Sequence, residues 1–354
     1  MIDRRKPPTM NDVAAAAGVS LKTVSRHVNG ATNIDPALAE RISAAIVALG
    51  YRHNLAAASI RPGRSAKVVG LVISDLANPY WAALARSVER VLSANGYLLM
   101  TVSSEEDEVQ HRLLVDRLIA QRVDGLIAAP PRRDGIDWAV SAAEALPLVA
   151  VDRPVLAVGA LPAQAVGALP AQTPPLSALA VATVLADNAG GAEAATRELL
   201  RHGARRVLFL GDSLELYTMR ERLEGYRRAL RSAGIAPEDE LVVTSAHSAA
   251  EAAEIVRSLL GTGRVDAVFA ANNRSSIGAV DAFTRAGIRL PLIGFDDFES
   301  ATLVRPGVSV VAQDVALMGE TAARAVLARL AGTAPPSAVT VLPTHLVLRG
   351  SERP

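Results

Sequence analysis

Between Thr9 and Leu49 the apolar residues recur at helical spacing in three short bursts, and after Lys67 the texture changes to apolar runs separated by amphipathic stretches. Thr9 followed by Asp12 has the form of a capping box, with Asp where Glu or Gln is usual, and opens a helix to about Ala17. Gly18 permits a left-handed turn. Ser20 then caps a second helix through about Asn29, and Asp35 with Pro36 at the first helical position opens a third. Val13, Ala17, Val19, Val24, Val28, Leu38, Ile42 and Ile46 can share one small core, so the segment reads as a helix-turn-helix with a bracing third helix.

Residues 54–65, NLAAASIRPGRS, read as a linker. Ala56 to Ser59 favour helix, but so short a stretch is marginal in isolation, where about 12 to 15 residues are needed, and Pro62 and Gly63 stop it. It is expected to order only against a partner.

Beyond Lys67 ten apolar runs alternate with helical patterns: KVVGLVI, YLLMTVS, VDGLIAAP, PLVAVD, VATVLAD, RVLFLG, ELVVTS, VDAVFAAN, LPLIGFD and VSVVAQ. Strands apolar throughout and spaced by helices indicate parallel sheets covered on both faces. Ten are many for one sheet, so two doubly wound subdomains are expected. Ligands of such folds sit at the carboxyl ends of strands, where Asn78, Asp152, Asn272 and Asp296 fall. Between the two halves the octet AVGALPAQ occurs at 157–164 and again at 165–172, within a Pro- and Ala-rich stretch at 155–177 that is expected to be a surface insertion.

Composition narrows the class. The chain has no cysteine, which excludes disulfides, thiolate metal sites and cysteine nucleophiles. No secretory signal is visible behind the basic N-terminus and no uninterrupted apolar stretch is of membrane-spanning length, so a soluble, cytoplasmic protein is expected. The net charge of +1 hides an asymmetry: residues 1–65 hold nine Lys and Arg against four Asp and Glu. A basic module on a mildly acidic body suggests a polyanion partner at one end. Catalytic and cofactor motifs are missing: the six histidines show no HxxxH spacing, there is no GxSxG elbow, and NAGGAEAA at 188–195 is not a dinucleotide fingerprint. Neither an enzyme nor a bound cofactor or metal is expected.

The second helix of a helix-turn-helix enters the major groove with its N-terminal residues toward base edges, which puts Leu21, Lys22 and Arg26 on the reading face. Lys22 and Arg26 suit guanine O6 and N7, and Leu21 suits a thymine methyl. Thr9, Asn11, Ser20, Thr23, Ser25 and Asn29 are candidates for phosphate contacts, which fix register without reading sequence.

TMNDVAAAAGVSLKTVSRHVNG resembles the N-terminal signature of the LacI/GalR family of bacterial transcriptional regulators. The likeness continues through NLAAASIRPGRS, GLVISDLANPYW, VAVDRP, MRERLEGYRRAL, FAANN, IGFDD and LPTHLVLRG. It implies an N-terminal all-α helix-turn-helix domain (1–53), a hinge helix or linker (54–65), and an α/β periplasmic-binding-protein-like core (66–350) of two doubly wound parallel-sheet subdomains. It further implies a homodimer on double-stranded operator DNA, a repressor by expectation, controlled by a sugar-like or nucleoside-like effector. In the hinge, Asn54 is taken as a DNA contact and Ile60 stands where the family wedges a leucine into the minor groove. Ala58 replaces a frequent Arg there.

For the effector, the resemblance carries over Asn78, Tyr80 and Trp81 in NPYW, Asp152 in VDRP, Arg222 in RERLEG, Asn272 in FAANN, Asp296 in GFDD and, more weakly, Gln313 in AQD. Structural roles compete with these: capping or strand crossing for Asp152 and Asp296, packing for Tyr80 and Trp81, and pairing with Glu221 or Glu224 for Arg222. Asn273, Ala129 and His247 depart from the residues common at their positions, which leaves the effector's identity open. A sugar-binding transport component and a regulator whose core has lost its effector are the alternatives. No heptad helix follows LVLRGSERP, so a dimer rather than a coiled-coil tetramer is expected.

Overall fold

The computed structural model describes residues 7–31, 33–52, 65–131, 137–155, 181–333 and 339–353. The chain divides into two compact units, Met1–Ala66 and Lys67–Pro354. Asn54, Ile60, the linker around them and the octet repeat lie outside the described residues.

The first unit is the expected three-helix head: α1 (Met10–Ala17), α2 (Leu21–Val28) and α3 (Pro36–Leu49). Each begins at the cap read from the sequence. The Thr9 backbone N–H donates to Asp12 at 2.7 Å and the Asp12 N–H returns to Thr9 Oγ1 at 3.4 Å, so Asp serves the capping box despite its shorter reach. Ser20 Oγ accepts from the Thr23 N–H at 3.2 Å and Asp35 Oδ1 from the Leu38 N–H at 3.1 Å. Gly18 is left-handed, φ 64°, as the turn requires. Val13, Ala14, Ala17, Val24, Ile42 and Ala45 are buried together, and His27 Nε2 to Ser43 Oγ, 3.0 Å, ties α2 to α3.

The second unit holds two six-stranded sheets. The first has the order β11-β5-β4-β3-β1-β2, from β1 (Val68–Ile73), β2 (Leu98–Ser103), β3 (Gly125–Ala128), β4 (Leu148–Val151), β5 (Ala182–Ala186) and β11 (Val339–Leu342). The second has the order β12-β10-β9-β8-β6-β7, from β6 (Val207–Leu210), β7 (Leu241–Val243), β8 (Ala267–Ala270), β9 (Leu292–Phe295), β10 (Ser309–Gln313) and β12 (Thr344–Val347). All ten apolar runs are strands. β11 and β12 are additional, and β12 runs antiparallel to β10, so the sheets are mostly rather than wholly parallel.

The repeat insertion does not lie between the halves as expected. It falls between β4 and β5, which pair in the first sheet with Ala150 opposite Thr183, so it is an insertion within one subdomain. The chain passes to the second sheet after β5, returns after β10 and crosses again between β11 and β12. Helices cover both faces. In the first subdomain these are α4 (Pro79–Ala94), α5 (Glu108–Ala120), α6 (Asp137–Ala145) and α11 (Val315–Leu330). In the second they are α7 (Asn188–Arg201), α8 (Tyr217–Ser232), α9 (Ala249–Leu259) and α10 (Asn273–Ala286). Gly225 is required where α8 meets α7, because a Cβ there would stand 2.1 Å from the Ala189 carbonyl oxygen.

On α5, His111 is fully buried, edge-on to Trp138 with ring centroids 4.6 Å apart. Among the described residues, neither ring nitrogen of His111 nor Trp138 Nε1 has a hydrogen-bond partner. Burial pushes the His111 pKa down to about 4; Glu106 opposes this and Arg153 adds to it. The folded chain therefore resists a proton that the unfolded chain accepts near pH 6.5, so stability is full above about pH 6.5 and falls as pH drops toward 4. Between pH 7 and pH 5 the loss expected from this group is about 2 kcal/mol. Thermal unfolding at the two pH values should show a smaller difference in His111→Phe than in the parent; an equal difference would assign the pH dependence elsewhere.

Candidate functional site

On the head, the exposed side of α2 carries the residues singled out for base reading. Leu21 is 43% exposed, and Lys22 and Arg26 are exposed beside it. Arg26 donates to the Asn33 carbonyl at 3.3 Å and to its side-chain oxygen, which holds the guanidinium along the helix face. The phosphate candidates are engaged locally. Thr9 Oγ1 donates to Asp12 at 2.7 Å, Ser20 and Thr23 share a 2.8 Å hydroxyl contact, and Asn29 Nδ2 donates to Ser25 Oγ at 3.3 Å. Asn11 is exposed.

In the core, all eight effector candidates line one cleft between the two sheets: Asn78, Tyr80, Trp81, Asp152, Arg222, Asn272, Asp296 and Gln313. The fold brings them together because most follow or adjoin a strand's carboxyl end, while Arg222 reaches in from within α8. Asp152 directly follows β4 and Asp296 directly follows β9, and both are left-handed, at φ 68° and 70°. Their backbone N–H groups make matching bonds of 2.9 Å to the neighbouring strand, at Val184 and Val311. Asp tolerates this conformation better than most residues, and holding two such residues costs about 1–3 kcal/mol each, the kind of strain found where function fixes a side chain.

Each aspartate is held but not saturated. Asp152 accepts from Tyr80 OH at 2.9 Å and from Arg153 Nε at 3.2 Å; Asp296 accepts from Arg222 Nη1 at 3.3 Å and from Gln313 Nε2. An ionised carboxylate has about four acceptor positions, so both retain capacity for ligand hydroxyls. Burial raises the Asp152 pKa above the ordinary carboxylate value against the pull of Arg153 and Arg222. Burial, with Asp152 beside it, pushes the Tyr80 phenol well above its usual value, so it stays a neutral donor.

Arg222 pairs with neither Glu221 nor Glu224. It is 3% exposed, donates through Nε to Asn188 Oδ1 at 2.8 Å and through Nη1 to the Ala271 carbonyl at 2.7 Å, and lies 3.7 Å over the Phe295 ring. Trp81 is mainly a packing residue, 3% exposed in the core of the first subdomain and edge-on to Tyr80. Asn78 and Asn272 cap α4 and α10, accepting from the Tyr80 N–H at 3.1 Å and the Ser275 N–H at 2.7 Å.

Sequence reasoning marked Asn273 and His247 only as departures from the family pattern and missed the pairings that shape the cleft. Asn273 Nδ2 donates to Asn78 Oδ1 at 2.9 Å and Arg274 pairs with Asp75, so two contacts cross from one subdomain to the other. Arg153 is forked onto Glu106 at 2.7 and 2.8 Å, and His247 Nδ1 lies 2.5 Å from Asp212 Oδ1. Arg153, next to a candidate aspartate, and the charged pair Glu105 and Glu106 were the only local signals. Their pairing is set by the tertiary fold.

Comparison with known proteins bears on both units. Residues 9–54 match the model for bacterial regulatory proteins of the lacI family, and residues 196–352 match a periplasmic binding protein-like domain. The HTH-type transcriptional regulator CelR of Thermobifida fusca is 31% identical over 99% of this chain and 100% of its own length. The chain belongs to the lacI family of bacterial regulatory proteins. The HTH-type transcriptional regulator GalR of Escherichia coli (strain K12) is 29% identical over 97% of this chain and 95% of its own. Among solved structures, the lac repressor dimer bound to operator and the anti-inducer ONPF superposes with a TM-score of 0.81 at 25% identity, over 99% of this chain and 100% of that one. The CelR–cellobiose complex gives 0.68 at 31% identity, over 97% and 99%. These lacI-family relatives are transcriptional regulators, the class that the helix-turn-helix and the motifs following it led one to expect. No helix of the described residues is long and apolar enough to cross a membrane.

Proposed function

We propose that the chain is a cytoplasmic, homodimeric repressor that grips operator DNA through residues 1–53 and alters that grip when a sugar enters the cleft of its core, residues 66–350. Leu21, Lys22 and Arg26 read base edges, and Thr9, Asn11, Ser20, Thr23, Ser25 and Asn29 hold phosphates. Tyr80, Asp152, Arg222, Asn272, Asp296 and Gln313 hold the sugar.

The observation that carries the reading is the pair of left-handed aspartates at the ends of β4 and β9, each with acceptor capacity to spare in one cleft. Hydroxyl groups are donors that use such capacity without bringing charge. The lac repressor bound to operator and CelR bound to cellobiose support the two halves of the proposal by likeness. A sugar that binds one relative orientation of the subdomains better than another shifts that equilibrium by its differential affinity, which is how occupancy reaches the DNA.

The test is Arg26→Ala in a gel-shift or anisotropy titration against DNA upstream of the neighbouring genes. Affinity for the preferred sequence should fall by about 1–3 kcal/mol with non-specific affinity little changed. Equal loss on all sequences would make Arg26 a phosphate contact.

A further inference from the structure

We infer that the cleft selects sugars by charge, taking uncharged or amino-substituted sugars and rejecting phosphorylated or acidic ones. This rests on the sugar reading above and narrows it.

Six carboxylates line the cleft, those of Asp75, Glu105, Glu106, Asp152, Asp212 and Asp296, against the guanidinium groups of Arg153, Arg222 and Arg274. Among the described residues the formal excess is three negative charges. More important, every one of those cations is already committed to a carboxylate of the chain. Arg153 is forked onto Glu106 and bonded to Asp152, Arg222 lies on Asp296, and Arg274 pairs with Asp75. His247, beside the cleft, is held by Asp212 in the same way. Recognition of a phosphate relies on free charge-assisted donors, commonly an Arg fork presenting two N–H groups at once. Here an anion would have to displace an internal carboxylate into a site already rich in them.

A second observation points the same way. Gln313 gives its Nε2 to Asp296, and its Oε1 is buried without a partner. A buried acceptor left unpaired is costly, and only a donor relieves it. A sugar hydroxyl or an ammonium supplies one, so the part of a ligand that meets Gln313 is a donor and not its phosphate or carboxylate.

The counterweight is the start of α8, where Leu216 gives no side-chain cap and the helix dipole favours an anion. That amounts to about half an elementary charge, against a formal excess of three. The other two helix starts at the cleft are covered by Asn78 and Asn272. Glu105, exposed and left-handed at φ 51° next to Glu106 at φ 60°, keeps a carboxylate at the cleft on a strained loop.

Isothermal calorimetry on the full chain tests this with matched probes: cellobiose, glucose, ribose and glucosamine against glucose 6-phosphate, ribose 5-phosphate and glucuronate. At least one neutral or amino sugar should bind, with its anionic counterpart at least tenfold weaker, and Glu105→Gln should narrow that ratio. A phosphate that binds as tightly as its parent sugar overturns the charge selection and leaves the sugar reading standing. A panel in which nothing binds overturns the sugar reading and this inference with it.

Discussion

Arg222→Ala is expected to abolish the effector response and to destabilise the core by about 3–5 kcal/mol, the loss that follows when one partner of a buried ion pair is removed. The guanidinium is 3% exposed and serves Asn188, the Ala271 carbonyl and Asp296 together. Removing it leaves an uncompensated carboxylate and two acceptors without their donor. It also removes the group that orients Asp296, whose remaining side-chain partner is Gln313. Calorimetry with the sugar that binds the parent chain should show affinity reduced at least a hundredfold, and thermal unfolding should show the core transition lowered. Asp296→Asn, which keeps a residue tolerant of the left-handed backbone, should lower affinity with a smaller loss of stability. Parent-like binding in Arg222→Ala would remove Arg222 from the site.

Ile42→Ala is expected to unfold the head and leave the core intact. Ile42 is fully buried in a core built from six buried side chains, and the other five are all small, two valines and three alanines. Truncating a buried isoleucine costs about 2–5 kcal/mol. A small domain buries too little surface to hold much more than that in reserve. Operator affinity should fall more than a hundredfold, helical circular dichroism should drop, and sugar binding by the core should be unchanged. Retained operator binding would mean that the head is held by more than its own core.

The head was legible residue by residue because its signals are local. Thr9, Ser20 and Asp35 each cap the helix they announce, and Gly18 makes the left-handed turn between α1 and α2. Eight of the ten principal strands were legible because burial on both faces makes them apolar throughout, while β2 and β7, half-covered at the sheet edges, were legible from their apolar residues alone. β11 and β12 were not, since both are short edge strands whose residues, Leu342 apart, are only partly covered or exposed. They are also split between different sheets on either side of Pro343, an assignment no local pattern carries. The repeat was misplaced for a related reason. β5 looks like the first strand of a second half, and only its pairing with β4 and β11 shows that it belongs to the first sheet.

The cleft divides the same way. Strand-end polar residues were legible as single positions, because parallel sheets place ligands there. What those residues touch was not. Glu106 reaches Arg153 across 47 positions and Asp75 reaches Arg274 across 199, distances over which only the fold decides. Trp81 illustrates the reverse case: an aromatic next to a candidate site residue that the fold turns mostly into the core.

The most direct test of the central claim is operator affinity, by anisotropy titration at physiological salt, with and without a saturating concentration of the sugar that calorimetry finds in the cleft. Occupancy should change operator affinity by about 5- to 150-fold, the range of ordinary coupling between two sites. Operator affinity unchanged by a sugar known to be bound would contradict the account.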